Sequence, residues 1–419
     1  MSSGRIEADY LIETAFPPET AAETMAGEQS SGTFVPVPGE TPELRARAAA
    51  RVERIAVVGE VAAPSLPGAT APKDGPPRWR RVLVTLSWPL GNLGPSLPNL
   101  MAAVAGNLFE LKQLSGLRLL DLRLPEAFAH AYAGPQFGIA GTRRLSGVEG
   151  RPLLGTIVKP SVGLDAEQTA ALVATLADAG IDFIKDDELQ ADAPLCPFEA
   201  RVAAVMRVIR DNAERTGKKV MYAFNLTGDI DEMRRRHDLV VAAGGTCVMA
   251  SLNSVGLSGI LALRQSAAVP IHAHRNGWGA LSRHPLLGWS YVAWSKIWRL
   301  AGVDQMHVNG IGNKFAEPDE SCVESARSCL APMFAAKPCT VMPVFSSGQT
   351  ARQAPPTYAA LASVDLLFLA GGGILAHPAG PAAGVASLRE GWDAAIAGIP
   401  IETHAHTHRA LALALERFQ

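Results

Sequence analysis

After residue 140 the chain repeats one pattern eight times: a short apolar run ends in polar or glycine residues, and a helical stretch follows. Near-continuous apolar strands that alternate with helices predict a parallel sheet covered by helices. Eight such units in about 280 residues match a (β/α)8 TIM barrel, and a doubly wound open sheet is the alternative. The eight runs end at Lys159, Glu188, Asn225, Asn253, Arg275, Gly310, Ser347 and Gly373.

The chain before this region predicts a smaller, separate domain, because strand-like stretches are mixed with helical ones and with loops rich in Pro, Gly and Thr. Such a mixture is typical of an α+β domain, here ferredoxin-like, with helices on one side of an antiparallel sheet. We therefore predict an α/β protein with an N-terminal α+β domain at 1–137 and a barrel with a C-terminal helical tail at 138–419. The predicted strands are Arg5–Thr14, Val52–Ala62 and Arg81–Trp88, and the predicted helices are Pro18–Gly27 and Ser96–Leu114.

Composition narrows the range of partners. The 38 basic and 40 acidic residues give a net charge of −2, which offers no electrostatic attraction for nucleic acid or an anionic membrane. The five cysteines form no CxxC pair, which indicates a reducing compartment. The sequence shows neither a signal-peptide pattern nor an apolar window of about 18 residues. We therefore expect a cytoplasmic protein that binds small molecules and neither nucleic acid nor membranes.

In a barrel of this type, functional residues lie at the carboxyl ends of the strands. The run DFIKDDE places Lys185 and Asp187 on one face of a strand, because side chains two positions apart point the same way, and Glu188 follows at the turn. Two carboxylates at a barrel mouth suit Mg²⁺. The lysine beside them has two interpretations: a structural ion pair, or an amine carbamylated by CO₂ that supplies a third oxygen ligand.

Two other strand ends carry basic side chains. Lys159 ends the first strand, where a desolvated lysine near a metal is a candidate general base and a solvated lysine is the structural alternative. In HAHR, His272 and His274 share one strand face and precede Arg275. A His-x-His pair also fits a rival interpretation, a Zn²⁺-dependent hydrolase of the amidohydrolase type.

The last strands predict an anion site. Runs FSSGQ and LAGGG expose backbone N–H groups, and in barrels the loops after the seventh and eighth strands commonly bind phosphate. The loop HVNGIGNK, between His307 and Lys314, has glycines as hinges and a cation at its tip, which is typical of a lid. An ordinary flexible loop is the structural alternative.

Taken together and in order, the motifs GTIVKP, DFIKDDE, HAHR, PVFSSG and LAGGG, with the spacing from His307 to Lys314, are specific. The sequence resembles the large chain of ribulose bisphosphate carboxylase (RuBisCO) and its non-carboxylating, type IV relatives, the RuBisCO-like proteins. The resemblance runs from about residue 25 to about residue 400. It implies Lys185 as a carbamylated ligand, with Asp187 and Glu188 completing the protein ligands to Mg²⁺.

The same resemblance implies roles for the other strand ends. Lys159 acts as the general base, His274 helps to move protons or binds a hydroxyl, and Lys314 closes over the substrate. Residues implied to bind one phosphate or polar terminus are Arg275, His307 and Ser346. Residues implied to form the other anion site are Gly348, Gly371, Gly372 and Thr33. In the family, the partner subunit of a homodimer, or of a multiple of dimers, completes the site with residues that correspond here to Glu28, Thr33 and Asn107.

Three positions depart from the pattern of true carboxylases. Ser161 stands where those enzymes carry a second lysine, Phe34 where they carry a tryptophan, and Trp278 where they carry a second histidine. Loss of the second lysine removes a positive charge beside Lys159, and Trp278 reshapes the pocket. The resemblance therefore implies enolate chemistry on Mg²⁺ without CO₂ fixation.

Among the non-carboxylating relatives, the sequence resembles those that act on phosphorylated sugar acids of apiose breakdown. We expect a lyase that decarboxylates 3-oxo-isoapionate 4-phosphate. The alternatives within the family are a transcarboxylase/hydrolase of the same substrate and a 5-methylthioribulose-1-phosphate isomerase or related enolase of methionine salvage.

Overall fold

The computed structural model describes residues 4–32 and 37–419. It separates into two compact units: the chain up to Ala133 with Gly277–Leu300, and Gly134–Asn276 with Ala301–Gln419. Within the described residues, no helix is both long and apolar enough to cross a membrane. The strands are β1 (Arg5–Thr14), β2 (Arg51–Val61), β3 (Trp79–Pro89), β4 (Leu114–Arg123), β5 (Leu153–Ile157), β6 (Phe183–Lys185), β7 (Met221–Asn225), β8 (Cys247–Ser251), β9 (Ile271–His274), β10 (Leu287–Trp289), β11 (Gln305–His307), β12 (Met342–Phe345) and β13 (Leu367–Leu369).

Helices follow most strands. Short 3₁₀ turns occur at Gly106–Glu110 and Ala351–Gln353. The α-helices are α1 (Pro18–Glu28), α2 (Pro42–Ala48), α3 (Leu90–Leu93), α4 (Leu97–Val104), α5 (Glu126–Ala131), α6 (Gly138–Ser146), α7 (Ala166–Asp178), α8 (Phe198–Thr216), α9 (Ile230–Ala242), α10 (Leu252–Ser266), α11 (Trp278–Ser282), α12 (Tyr291–Ala301), α13 (Asp319–Leu330), α14 (Ala354–Leu361), α15 (Gly372–Leu375), α16 (Pro381–Ala397), α17 (Ile401–Ala405) and α18 (Arg409–Arg417).

The first unit contains a sheet in the order β10-β4-β1-β3-β2. Strand β3 pairs antiparallel with β1 and β2, as predicted for this sheet. Strand β4, which was not predicted as a strand, pairs antiparallel with β1, and β10 joins β4 in parallel. Alternate residues of β1 are buried from Ile6 to Ile12, which gives the sheet one apolar face. The predicted helix Ser96–Leu114 is shorter: α4 ends at Val104, and Leu114 begins β4, because pairing with β1 overrides helix propensity there.

The second unit contains the predicted barrel. All eight apolar runs form strands, and these close in the order β11-β12-β13-β5-β6-β7-β8-β9, with parallel pairing throughout. A buried apolar cluster that includes Phe183, Met249 and Val344 forms its core. Because side chains two apart share a face, Lys185 follows Phe183 on its side of β6. The polar strand ends therefore meet above this core.

A buried charge cluster stabilises the first turns of the barrel. Asp182 precedes β6, and its carboxylate accepts from Arg151 at 2.6 Å, from Lys218 at 2.6 Å and from the backbone N–H of Leu154 at 2.9 Å. Burial alone would raise the pKa of Asp182, but Arg151 and Lys218 lower it below the usual value. The carboxylate is therefore ionised and satisfied in the folded state.

Replacing Asp182 with Asn is expected to lower the free energy of unfolding by about 3 kcal/mol, because two cations lose their buried partner. Urea denaturation at neutral pH measures the loss. The matched control is Asp178→Asn, which removes an exposed ion pair with Arg215 and should change stability by less than about 1 kcal/mol. Because the pKa of Asp182 is lowered in the folded state, this stabilisation is lost as pH falls through that pKa. The difference in unfolding free energy between wild type and Asp182→Asn should therefore become smaller in acid. Equal losses in the two variants would contradict the argument.

Candidate active site

Lys185 ends β6 and is fully buried. Its Nζ donates to the backbone oxygen of Asp186 at 2.8 Å and lies 3.5 Å from Oε2 of Glu188. Burial lowers the pKa of Lys185 below its usual value, although Glu188, Asp187 and Asp186 raise it. A lower pKa increases the fraction of neutral amine, which is the form of lysine that acts as a nucleophile.

Glu188 links this lysine to the next part of the site. Its Oε2 lies 3.5 Å from Nε2 of His274 at the end of β9. Burial alone would raise the pKa of Glu188, but His274 and Lys185 lower it to about 2. Burial and the positive charge of Lys185 lower the pKa of His274 to about 4. At neutral pH the pair is therefore a carboxylate beside a neutral imidazole.

Lys159 lies beyond β5 and contacts the same motif. Its Nζ donates to Oδ2 of Asp187 at 2.6 Å and to Oγ of Ser161 at 2.7 Å. The side chain of Lys159 is 43% exposed, whereas that of Asp187 is 2% exposed. The amine is thus held against a buried carboxylate on one side and faces solvent on the other. Ser161, where the resemblance implies a second lysine in true carboxylases, contacts Lys159 directly.

The back of the β6 motif is fixed by residues that the sequence analysis did not select. Asp186 points away from Lys185, and its carboxylate accepts from Arg201 at 3.2 Å, from Tyr222 at 2.5 Å and from the backbone N–H of Asn225 at 2.9 Å. The side-chain amide of Asn225 donates to the backbone oxygens of Asp187 and Glu188 at 3.2 and 3.3 Å. These contacts hold the backbone that carries both carboxylates.

The ends of β9, β11 and β12 form a second polar group. The rings of His274 and His307 are in edge-to-face contact, with centroids 4.5 Å apart, and Nδ1 of His307 lies 3.0 Å from Oγ of Ser346. Arg275 is buried and pairs with Glu317, which also accepts from Asn309 at 2.7 Å. Neither Glu317 nor Asn309 carries a sequence signal of this role, because each acts through contacts that form only in the fold.

The glycines of the predicted anion site lie at the last two strand ends. The backbone N–H of Lys314 donates to the backbone oxygen of Ser347 at 3.2 Å, which brings the predicted lid beside Gly348. Gly348 has φ +92°, which favours glycine. Gly371 and Gly372 follow β13, and a side chain on Gly372 would meet no atom within 4 Å. The backbone there is open to a ligand.

The residues implied to serve a partner subunit lie in the first unit. The side-chain amide of Asn107 donates to Oε1 of Glu28 at 3.3 Å, so these two are neighbours. Thr33 lies outside the described residues, as does Phe34. Trp278 is buried and packs its ring against Tyr291 and Trp294, with centroids 5.6 and 4.8 Å away.

The donor set at β6 fits Mg²⁺ better than Zn²⁺. Asp187 and Glu188 offer hard oxygen ligands, and a carbamate on the buried amine of Lys185 would add a third. Among the described residues, no three His, Cys, Asp or Glu side chains are grouped to hold a metal without such help. His272 places both ring nitrogens in hydrogen bonds inside the barrel, 2.8 Å from Gln305 and 2.8 Å from His307, which argues against an imidazole-bound Zn²⁺.

Comparison with known proteins agrees with this geometry. Residues 8–128 match the ribulose bisphosphate carboxylase large chain, N-terminal domain, and residues 138–418 match the catalytic domain of the same chain. The chain is 58% identical over 413 residues to a protein of Xanthobacter autotrophicus named 3-oxo-isoapionate-4-phosphate transcarboxylase/hydrolase, covering 99% of each chain. It is 48% identical over 416 residues to a 3-oxo-isoapionate-4-phosphate decarboxylase of Rhizobium etli, covering 99% of this chain and 98% of the relative.

A solved structure gives the same result. The crystal structure of a RuBisCO-like protein from Burkholderia fungorum superposes with a TM-score of 0.92 at 49% identity, covering 98% of this chain and 99% of the other. These two relatives are named as a transcarboxylase/hydrolase and a decarboxylase, not as carboxylases of ribulose bisphosphate. The chain therefore belongs to the ribulose bisphosphate carboxylase large chain family, in which its near relatives are RuBisCO-like enzymes.

Proposed function

We propose that this protein is a Mg²⁺-dependent lyase that removes the carboxyl group of 3-oxo-isoapionate 4-phosphate during apiose breakdown. The observation that carries the proposal is the environment of Lys185: a buried amine of lowered pKa beside Glu188, with Lys159 held 2.6 Å from Asp187. Relatives at 58% and 48% identity bear names that specify this substrate.

Lys185, as a carbamate, would hold Mg²⁺ together with Asp187 and Glu188. When bound, Mg²⁺ would act as a Lewis acid that favours negative charge on the oxo group of the substrate. Asp186 and Asn225 hold the backbone of the Lys185–Glu188 segment in place. Their hydrogen bonds leave the side-chain oxygens of Asp187 and Glu188 available as ligands. The protein thus supplies a rigid oxygen-rich site before substrate binds.

The chemical step needs only a proton and a place for charge. The bond from carbon 2 to the carboxyl carbon breaks, its electron pair passes to the 3-oxo group as an enolate, and CO₂ leaves. Lys159 then delivers a proton to the carbon that lost the carboxyl group. Its position between solvent and Asp187 allows it to be reprotonated after each turnover. His274, at the end of β9 and 3.5 Å from Glu188, positions a substrate hydroxyl.

The phosphate of the substrate binds at the glycine-rich ends of β12 and β13. Open backbone at Gly348, Gly371 and Gly372 offers N–H donors, and Lys314 lies beside Gly348 to supply positive charge. Arg275 is paired with Glu317, so in this proposal its guanidinium helps to form the side of the substrate site and does not bind the phosphate. This arrangement leaves the carboxyl end of the substrate near Lys159.

A second candidate within the same chemistry is transfer and hydrolysis of the carboxyl group. It is favoured by the higher identity, 58% against 48%, to the relative that bears this name. Both candidates begin with the same carbon–carbon bond cleavage. They differ in whether the carboxyl carbon leaves as CO₂ or stays in an organic acid.

Substrate labelled with ¹³C at the carboxyl group, incubated with pure enzyme, Mg²⁺ and bicarbonate, separates these outcomes by NMR. Decarboxylation is expected to release the label as CO₂ and, in D₂O, to place one deuteron on the product carbon. Label retained in an organic acid would replace decarboxylation by transfer and hydrolysis. Unchanged substrate, with C–H exchange on 5-methylthioribulose 1-phosphate, would reject the proposal in favour of the isomerase.

We also propose that the protein is cytoplasmic and works as a homodimer or a multiple of dimers, with Glu28, Thr33 and Asn107 of one subunit completing the site of another. The neighbouring side chains of Glu28 and Asn107 present a polar pair, and Asn107 is exposed. Light scattering on the purified protein measures the oligomer, and a monomer at working concentration would contradict this arrangement.

A further inference from the structure

A line of buried hydrogen bonds crosses the barrel beneath the second polar group. It begins at α6, where Oγ1 of Thr142 donates to the backbone oxygen of Gly138 at 2.7 Å. It continues to Gln305, whose Nε2 donates to Oγ1 of Thr142 at 3.2 Å, and then to His272. The side chains of Thr142, Gln305 and His272 are all inaccessible to solvent, so water cannot replace any of these partners.

The orientation of the Gln305 amide is fixed by what its two ends meet. Thr142 has given its one proton to Gly138, so its oxygen can only accept from the amide N–H₂ of Gln305. The sulfur of Met221, 3.6 Å from the same nitrogen, is also an acceptor. The amide oxygen therefore faces His272, and Nδ1 of His272 must carry the proton that it accepts at 2.8 Å.

The proton on Nδ1 of His272 decides which atom donates in each of the remaining hydrogen bonds. His272 and His307 face each other through their Nε2 atoms at 2.8 Å, so one ring donates and the other accepts. Burial lowers the pKa of both imidazoles well below the usual value, which leaves one proton on each ring. The proton of His272 is on Nδ1, so its Nε2 accepts and Nε2 of His307 donates. Nδ1 of His307 then carries no proton, and it accepts a hydrogen bond from Oγ of Ser346 at 3.0 Å.

We propose that Thr142, Gln305 and His272 are positioning residues, which fix the tautomer of His307 and turn the proton of Ser346 into the barrel. Ser346 then meets the substrate with its lone pairs alone. The neighbouring hydroxyl has the same polarity, because Ser347 donates to Oδ1 of Asn309 at 2.8 Å. The two serine hydroxyls at the end of β12 therefore present hydrogen-bond acceptors.

The chemical consequence concerns which group of the substrate fits there, and this step rests on the proposed function. A fully ionised phosphate offers only acceptors, so it gains nothing from Ser346 in this state. A substrate hydroxyl offers a proton and completes the line. The relay thus selects a hydroxyl-bearing carbon for this position and leaves the phosphate to the backbone donors near Gly348 and Gly371.

The tautomers are measured without substrate. Neutron diffraction from crystals of the deuterated wild-type protein is expected to show deuterium on Nδ1 of His272, on Nε2 of His307 and on Oγ of Ser346 directed toward His307. Deuterium on Nδ1 of His307, or on both nitrogens of either ring, would overturn the proposal. This result is independent of whether the enzyme acts on 3-oxo-isoapionate 4-phosphate.

A double-mutant cycle tests whether the relay acts through Ser346. Gln305→Leu removes the acceptor for His272 and should raise KM about tenfold while kcat changes by less than about twofold. In a Ser346→Ala background the same substitution should change KM by less than about twofold, because the hydroxyl that it redirects is gone. Equal effects in both backgrounds would show general damage and reject the positioning role. An inactive wild-type enzyme would instead reject the substrate assignment and leave the neutron result standing.

Discussion

Replacement of Lys185 by Met is expected to reduce kcat/KM by about 10³-fold or more and to remove bound Mg²⁺ from the purified protein. The loss follows because the carbamate would be one of three oxygen ligands, and Lewis-acid stabilisation of a developing charge is worth several kcal/mol, with each 1.36 kcal/mol equal to a factor of ten. Met has nearly the volume of Lys and suits a fully buried position, so the fold should persist.

Three measurements separate this loss from unfolding. The thermal unfolding temperature of Lys185→Met should equal or exceed that of wild type, because a buried amine is replaced by an apolar group. Incubation with ¹³CO₂ should give a carbamate resonance in wild type and none in Lys185→Met. Metal analysis should follow the same pattern. A variant that keeps both Mg²⁺ and activity would show that Lys185 is a structural ion-pair partner of Glu188.

Activation by CO₂ should also depend on pH in a defined direction. Only the neutral amine reacts with CO₂, so carbamate formation at constant CO₂ increases as pH rises. Burial lowers the pKa of Lys185, and this moves the rise to lower pH than for an ordinary lysine. Lys185→Met is the control for this measurement, because its activity should show no pH-dependent activation by CO₂.

The barrel was predictable because its signal is local. Each strand is a continuous apolar run that ends in polar residues, and the run from Leu153 to Lys159 or from Asp182 to Glu188 can be recognised without knowing its neighbours. The order and parallel pairing of the strands then follow from the fold. Placement of Lys159, Lys185 and Asp187 at one mouth needed only that fold and the two-residue period of a strand.

Other features depend on contacts that are distant in sequence. Leu287–Trp289 is three residues long and forms a strand only because Leu114–Arg123 offers it an edge. Glu317 gives no local signal, since its role as partner of Arg275 comes from a loop that returns to the strand ends. Gln305 resembles any polar residue at the start of a strand, and the orientation of its amide is set by Thr142 of α6. Such residues are recognised from coordinates and not from motifs.

Replacement of Lys159 by Met is expected to reduce kcat by about 10²- to 10⁴-fold, the range for loss of a general acid or base. Unlike Lys185→Met, this variant should retain Mg²⁺ and the ¹³C carbamate resonance, because Lys159 contacts Asp187 without being a ligand. The two variants therefore separate metal binding from proton transfer within one site. Ser161→Ala is the matched control: it removes one acceptor from Lys159 and leaves the contact with Asp187, so kcat should fall by less than about tenfold.

The proton that Lys159 delivers can be followed directly. In D₂O, wild type should give product with one deuteron at the carbon that lost the carboxyl group, all of one configuration, because the amine approaches from one face. In Lys159→Met, water should protonate the enolate from either face. The residual product should therefore be a mixture of configurations at the carbon that lost the carboxyl group. Unchanged kcat with a single configuration would assign the proton to another group, and His274, 3.5 Å from Glu188, would be the next to replace.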